Sequence, residues 1–144
     1  TLPSNRCTTG PCDARARLTA MNLNQVTLAV SDVARAIGFY RQLGLQLIVE
    51  NLPEYARFCC PDGSATFSVS RVERVQPSQS LIYFECDALD ATVQRLQALG
   101  VQFSMLPTDQ PWLWREAYLS DPDGNPLCLY FAGSNRLDPP WRLT

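Results

Sequence analysis

Histidine is absent from the 144-residue chain, and each of its twelve basic residues is arginine, so lysine is absent as well. This excludes an imidazole general base, the Ser-His-Asp and Cys-His nucleophile systems, a Schiff-base lysine and a phosphate-loop lysine. It also excludes every metal site that needs an imidazole ligand, the two-histidine, one-carboxylate iron site included. Chemistry is left to carboxylates, thiols, hydroxyls, arginine and aromatic rings. Apolar runs are only a few residues long, too short to span a bilayer or to form the hydrophobic region of a signal peptide. The net charge is -2 and no arginine cluster stands out, which argues against a nucleic-acid surface. The expected setting is therefore the cytoplasm, with neither a membrane nor a nucleic acid as partner. Six cysteines (Cys7, Cys12, Cys59, Cys60, Cys86, Cys128) show no C-x-x-C spacing, and two of them are adjacent. That suits neither a zinc ribbon nor a disulfide scaffold, so buried or free thiols in a reducing compartment are expected.

A hydrophobic content of 46% with 18% charge describes one globular domain. At this length roughly 68–70% of the unfolded surface can be buried, enough for a core without staples. Residues 1 to 20 carry neither helical nor alternating pattern and read as a flexible extension, in which Cys7 and Cys12 are free to pair but are not required to. Met21 opens the patterned stretch and is a candidate ancestral start, the preceding segment being an arm or a read-through leader. The domain is placed at 21–132 and a tail at 133–144.

Val26, Leu28 and Val30 alternate with Gln25, Thr27 and Ala29, as in a half-buried strand. Ser31 or Asp32 caps a helix whose apolar residues Val33, Ile37, Tyr40 and Leu43 share a face, and Gly44 ends it. Strands are expected over Leu45 to Glu50, Ala56 to Cys60 and Ala65 to Val72, the last two joined by the turn Pro61-Asp62-Gly63. A shift of 56 residues lays Gln25–Leu47 on the second half without a gap. Val26, Leu28 and Val30 fall on Ile82, Phe84 and Cys86; Val33, Ile37, Tyr40 and Leu43 fall on Leu89, Val93, Leu96 and Leu99; Gly44 falls on Gly100. The turn returns as Pro122-Asp123-Gly124 at a shift of 61, so the second copy has about five additional residues in the loop of Trp112 and Trp114.

The run "NQVTLAVSDVARAIGFYRQLGL" opening the first copy and "AYLSDPDGNPLCLYF" closing the second resemble the vicinal oxygen chelate superfamily. That group contains glyoxalase I, extradiol dioxygenases and bleomycin-resistance proteins. The resemblance implies an α+β fold of two tandem βαβββ modules, about 22–75 and 78–132, forming an eight-stranded open cup with helices outside. In metal-dependent members four cup positions hold a divalent ion, usually through His and Glu. Here those positions are Gln25, Ser68, Leu81 and Cys128. Leucine has no donor atom, and the set lacks the imidazole and carboxylate shell of a catalytic metal, so no metal and no cofactor are expected.

The resemblance and strand alternation together give the expected lining: Gln25, Thr27, Ser68, Leu81, Tyr83, Glu85, Trp112, Trp114, Arg115, Cys128 and Tyr130. Glu85 either pairs with a cavity arginine such as Arg115 or lies at the open rim in water; otherwise it is an anion for a cationic ligand, or a base. Trp112 and Trp114 either pack across a homodimer interface or against Trp141, or they form a stacking wall. Cys128, with no His or Lys to lower its pKa, is read as an inert buried thiol rather than a nucleophile. The expected function is binding of an apolar or aromatic compound, with a cationic one admitted, by a homodimer that sequesters a drug or toxin. No catalytic residue is assigned. A lyase, isomerase or dioxygenase with a His-free site is the second reading, and a ligand-sensing module the third.

Overall fold

The structure is a computed structural model and describes residues 20–144. Apart from Ala20, the extension read from residues 1 to 20, with Cys7 and Cys12, lies outside the described residues. The chain runs β1 (Gln25–Val30), α1 (Val33–Gln42), β2 (Gln46–Asn51), β3 (Tyr55–Cys59), β4 (Thr66–Arg71), β5 (Ile82–Glu85), α2 (Leu89–Ala98), β6 (Phe103–Asp109), β7 (Arg115–Ser120), β8 (Pro126–Phe131), then a short 3-10 turn over Gly133–Asn135. The expected strands are all present, with ends moved by a residue or so.

The two copies build two four-stranded sheets of the same design, β1-β4-β3-β2 and β5-β8-β7-β6. In each, the first strand lies parallel to the last and the other pairs are antiparallel. This is the expected α+β arrangement of tandem βαβββ modules. One face of each sheet is apolar because the alternating residues carry it: Val26, Leu28, Val30, Phe58, Phe67 and Val69 in the first, Ile82, Phe84, Ala117, Leu119, Leu127 and Leu129 in the second. Against these faces pack the helix stripes Val33, Ala36, Ile37, Tyr40 and Leu89, Val93, Leu96, and a single hydrophobic cluster runs through both modules.

Helix α1 starts at Asp32, whose Oδ1 accepts from the Arg35 backbone N–H at 3.0 Å. Ser31, the other candidate cap, is used elsewhere: its hydroxyl donates to Asp123 at 2.6 Å. Both helices end on a glycine in the left-handed region, Gly44 at φ +101° and Gly100 at φ +91°.

The D-P-D-G-N turn joins the modules as well as reversing the chain. Asp121 accepts from the Tyr40 hydroxyl of α1 at 2.8 Å and from the Asn125 side-chain amide at 2.9 Å. The same amide donates to the Ala29 carbonyl of β1 at 3.0 Å. Asp121 and Asn125 are buried, and no buried side-chain polar atom among the described residues lacks a partner. Among the described residues no helix is long and apolar enough to cross a membrane.

Candidate functional site

The second face of each sheet, turned away from the helices, carries the candidate residues. On the first sheet, β1 and β4 lie in register with Gln25 opposite Thr66 and Thr27 opposite Ser68. Gln25 Nε2 donates to Ser68 Oγ at 2.8 Å and contacts Thr27 Oγ1 at 3.3 Å, and the Thr66 hydroxyl bonds its Oε1. Ser68 is buried and also bonds the Tyr55 hydroxyl at 2.6 Å. Arg57 Nε donates to that hydroxyl at 2.9 Å, and its guanidinium lies over the Tyr55 ring. The Tyr55 phenol is held below its ordinary range, first by the bond with Ser68 and then by Arg57. This face is a polar network.

The second sheet is different. Its register sets Tyr83, Cys128 and Tyr118 in one row across the strands and Glu85, Tyr130 and Glu116 in the next. Trp114 stacks on Tyr130 with ring centroids 4.7 Å apart, and Tyr83 meets both rings edge-on at 5.9 and 5.5 Å. Leu81, Cys128 and Tyr118 pack with Trp114 and Tyr130 in a small cluster separate from the main core. Tyr83 keeps 44% of its surface exposed, and Trp112 45%.

Within this aromatic face lies Glu116, only 1% exposed. Trp112 Nε1 donates to its Oε1 at 2.6 Å, and the Tyr118 hydroxyl donates to Oε2. Among the described residues no arginine forms a salt bridge with it. The sequence reading missed Glu116 and Tyr118. The signal was in β7, where Ala117 and Leu119 mark the core side and alternation sends Glu116 and Tyr118 to the opposite one.

Both tryptophans reach this face because the loop turns sharply between them. Leu113, at φ 67°, takes the left-handed conformation, and Gln110 N–H closes the turn on the Trp114 carbonyl at 2.8 Å. Among the described residues Trp141 makes no ring contact with either indole.

Two expectations are corrected. Arg115 does not join the lining: it binds Asp90 of α2 at 3.0 Å and Asp109 of β6 at 3.1 Å, because alternation puts it on the helix side of β7, opposite to Glu116. Glu85 accordingly does not pair with Arg115. Its Oε2 accepts the backbone N–H groups of Ala132 and Gly133 at 2.8 and 3.0 Å, and Arg136 stands 3.9 Å away. Glu85 thus anchors the chain after β8. With Tyr83 it also borders a cavity of about 460 Å³ between α2 and the 60–65 hairpin. A second cavity of about 540 Å³ lies between α1 and the α2–β6 turn and touches none of the candidate residues.

The thiol of Cys128 is pushed up to about 12, first by burial and then by the Glu116 charge, so it is not a nucleophile at neutral pH. Burial and the same charge also raise Tyr83, and the bond to Glu116 together with burial raises Tyr118. Tyr130 is raised by burial and by Glu85. The face therefore presents neutral rings and a neutral thiol around one buried carboxylate.

Two tandem βαβββ modules, each a four-stranded sheet with a helix on one face, define a class of proteins, and comparison with known families identifies it. Residues 22–129 match the model of the Glyoxalase/Bleomycin resistance protein/Dioxygenase superfamily, and the chain belongs to that superfamily. The same fold occurs in a superfamily member from Sphaerobacter thermophilus DSM 20745 (24% identity, TM-score 0.67, covering 78% of this chain and 98% of that one). Lactoylglutathione lyase from Agrobacterium tumefaciens shares it at 19% identity and TM-score 0.68, covering 83% of this chain and 98% of that one. A bleomycin-binding protein complexed with bleomycin shares it at 20% identity and TM-score 0.64, covering 78% and 98% respectively. No curated protein matches in sequence.

The metal positions of the superfamily do not fit a metal here. Gln25 and Ser68 are engaged with each other, Leu81 is hydrocarbon, and the Cys128 thiol holds its proton far above neutrality. Among the described residues no group of three or more His, Cys, Asp and Glu side chains is arranged to hold an ion.

Proposed function

We propose that this chain is a metal-independent small-molecule-binding protein, acting as a homodimer, that takes an apolar, aromatic compound on the second sheet. The observation that carries the reading is the cluster of Tyr83, Trp114 and Tyr130 on the outer face of the second sheet, with Tyr83 44% exposed at its edge. Binding here draws on apolar burial and ring contact, each aromatic pair adding about 0.5–1.5 kcal/mol beyond its area. The neighbour that binds bleomycin supports sequestration of a drug-like or toxic compound as the purpose. A second copy is part of the proposal because an isolated 16.1 kDa monomer seldom leaves so much aromatic surface uncovered.

The test is a titration of the full chain with planar aromatic compounds, following intrinsic tryptophan fluorescence. Saturable binding weakened several-fold in Trp114→Ala, with circular dichroism unchanged, is the expected result. Binding that Trp114→Ala leaves intact would remove the second sheet as the site.

A further inference from the structure

We infer that the compound bound on the second sheet carries a permanent cationic group without N–H donors, such as an N-alkylated aromatic ring, and that Glu116 is the residue that selects it. The inference rests on the binding reading above and adds the charge of the ligand and the residue responsible. Glu116 is removed from water, yet only two neutral donors meet it, the indole N–H of Trp112 at 2.6 Å and the Tyr118 hydroxyl. A buried carboxylate without a cation is costly, and a cation brought to the same face repays that cost in a medium of low dielectric.

Both donors to Glu116 are aromatic. A ring whose N–H or O–H points at a carboxylate gains electron density on its π faces, and those faces are what a cation meets. Trp112 is 45% exposed while Glu116 is 1% exposed, so the charge of Glu116 is presented through a ring rather than through a bare oxygen. Since Glu116 is only 1% exposed and lies behind the rings that donate to it, a protonated primary amine on this face would not reach its oxygens and would leave its own donors unsatisfied. A quaternary or delocalised cation has none to satisfy. Glu85, the carboxylate two places along the lining, is not the selector, because two backbone N–H groups and Arg136 already neutralise it.

The experiment compares 1-methylquinolinium with 1-methylnaphthalene, which has nearly the same shape and no charge, by isothermal titration calorimetry on the full chain. In Glu116→Gln the cation should bind roughly tenfold more weakly or worse while the neutral compound is unchanged. In Glu85→Gln the ratio of the two affinities should stay as in the parent. Should Glu116→Gln fail to fold, the parent decides: a preference set by a buried charge survives in about 0.5 M salt, where exposed charges are screened within roughly 4–5 Å. A preference abolished by that salt, or lost in Glu85→Gln and kept in Glu116→Gln, overturns the inference. Tight binding of the naphthalene alone leaves the binding reading standing and removes the cation. Binding of neither compound, when other planar aromatics bind, likewise removes only the cation; failure of all of them removes both.

Discussion

The Tyr40 hydroxyl donates to Asp121 across 2.8 Å, and with both residues buried this one bond ties the helix of the first module to the hairpin of the second. Replacing it by Tyr40→Phe leaves Asp121 with the donors of Asn125 and Asp123 but takes away a bond to a charged acceptor. The expected loss is about 1.5–3 kcal/mol, read from the midpoint of urea unfolding at unchanged slope.

The same pair makes stability depend on alkaline pH. Burial first, and then the charge and hydrogen bond of Asp121, hold the Tyr40 phenol above its ordinary value of 10.0. The unfolded chain gives up that proton near its ordinary value while the folded chain keeps it, so the stabilisation is complete below about pH 10 and declines as pH rises further. The stability gap between parent and Tyr40→Phe should therefore narrow from about pH 9 to pH 11. A gap constant over that window would show that the phenol does not resist ionisation in the fold.

Two glycines of one helix respond oppositely to alanine. Gly38 lies inside α1, where an added methyl meets nothing within 4 Å, so Gly38→Ala should stabilise by about 0.5–1 kcal/mol. Gly44 also has open space around it but sits at φ +101°, so Gly44→Ala should cost about 1–2 kcal/mol through backbone strain alone. Thermal unfolding of the two variants beside the parent reads both signs.

Elemental analysis after dialysis should find no stoichiometric divalent metal. The reason is chemical: Leu81 offers no donor, and Cys128 would have to lose a proton it holds to about pH 12. One Zn, Ni, Fe or Mn per chain would make a metal-dependent lyase the leading reading.

Light scattering at micromolar concentration should return twice the mass of the 16.1 kDa chain. A monomer mass would mean that Tyr83 and Trp112 stay exposed until a ligand covers them.

Much of the fold was legible in the sequence. Period-two and period-3.6 patterns reflect which side of a strand or helix is dry, and in this chain they occur twice in the same order, so the duplicated modules follow from Val26 to Leu47 and Ile82 to Phe103 alone. The family resemblance, together with alternation, put Gln25, Thr27, Ser68, Leu81, Tyr83, Cys128 and Tyr130 on one side of their strands, and in the structure that side faces away from the helices. The absence of His and Lys, and Leu81 where a ligand would stand, limited the chemistry before any coordinates.

What tertiary structure decided was pairing between groups distant in sequence. Whether Glu85 is free depends on where the chain goes after β8, and Ala132 and Gly133 return to cap it. Arg115 was assigned to the lining from its nearness to the tryptophan loop, but its strand position turns it toward Asp90, which is 25 residues away in sequence. Glu116 is covered by Trp112, whose indole N–H bonds it, because Leu113 reverses the loop between the two tryptophans. Periodicity reports which face a residue occupies; the charge that face finally carries is set by contacts across the sheet, and those exist only in the folded chain.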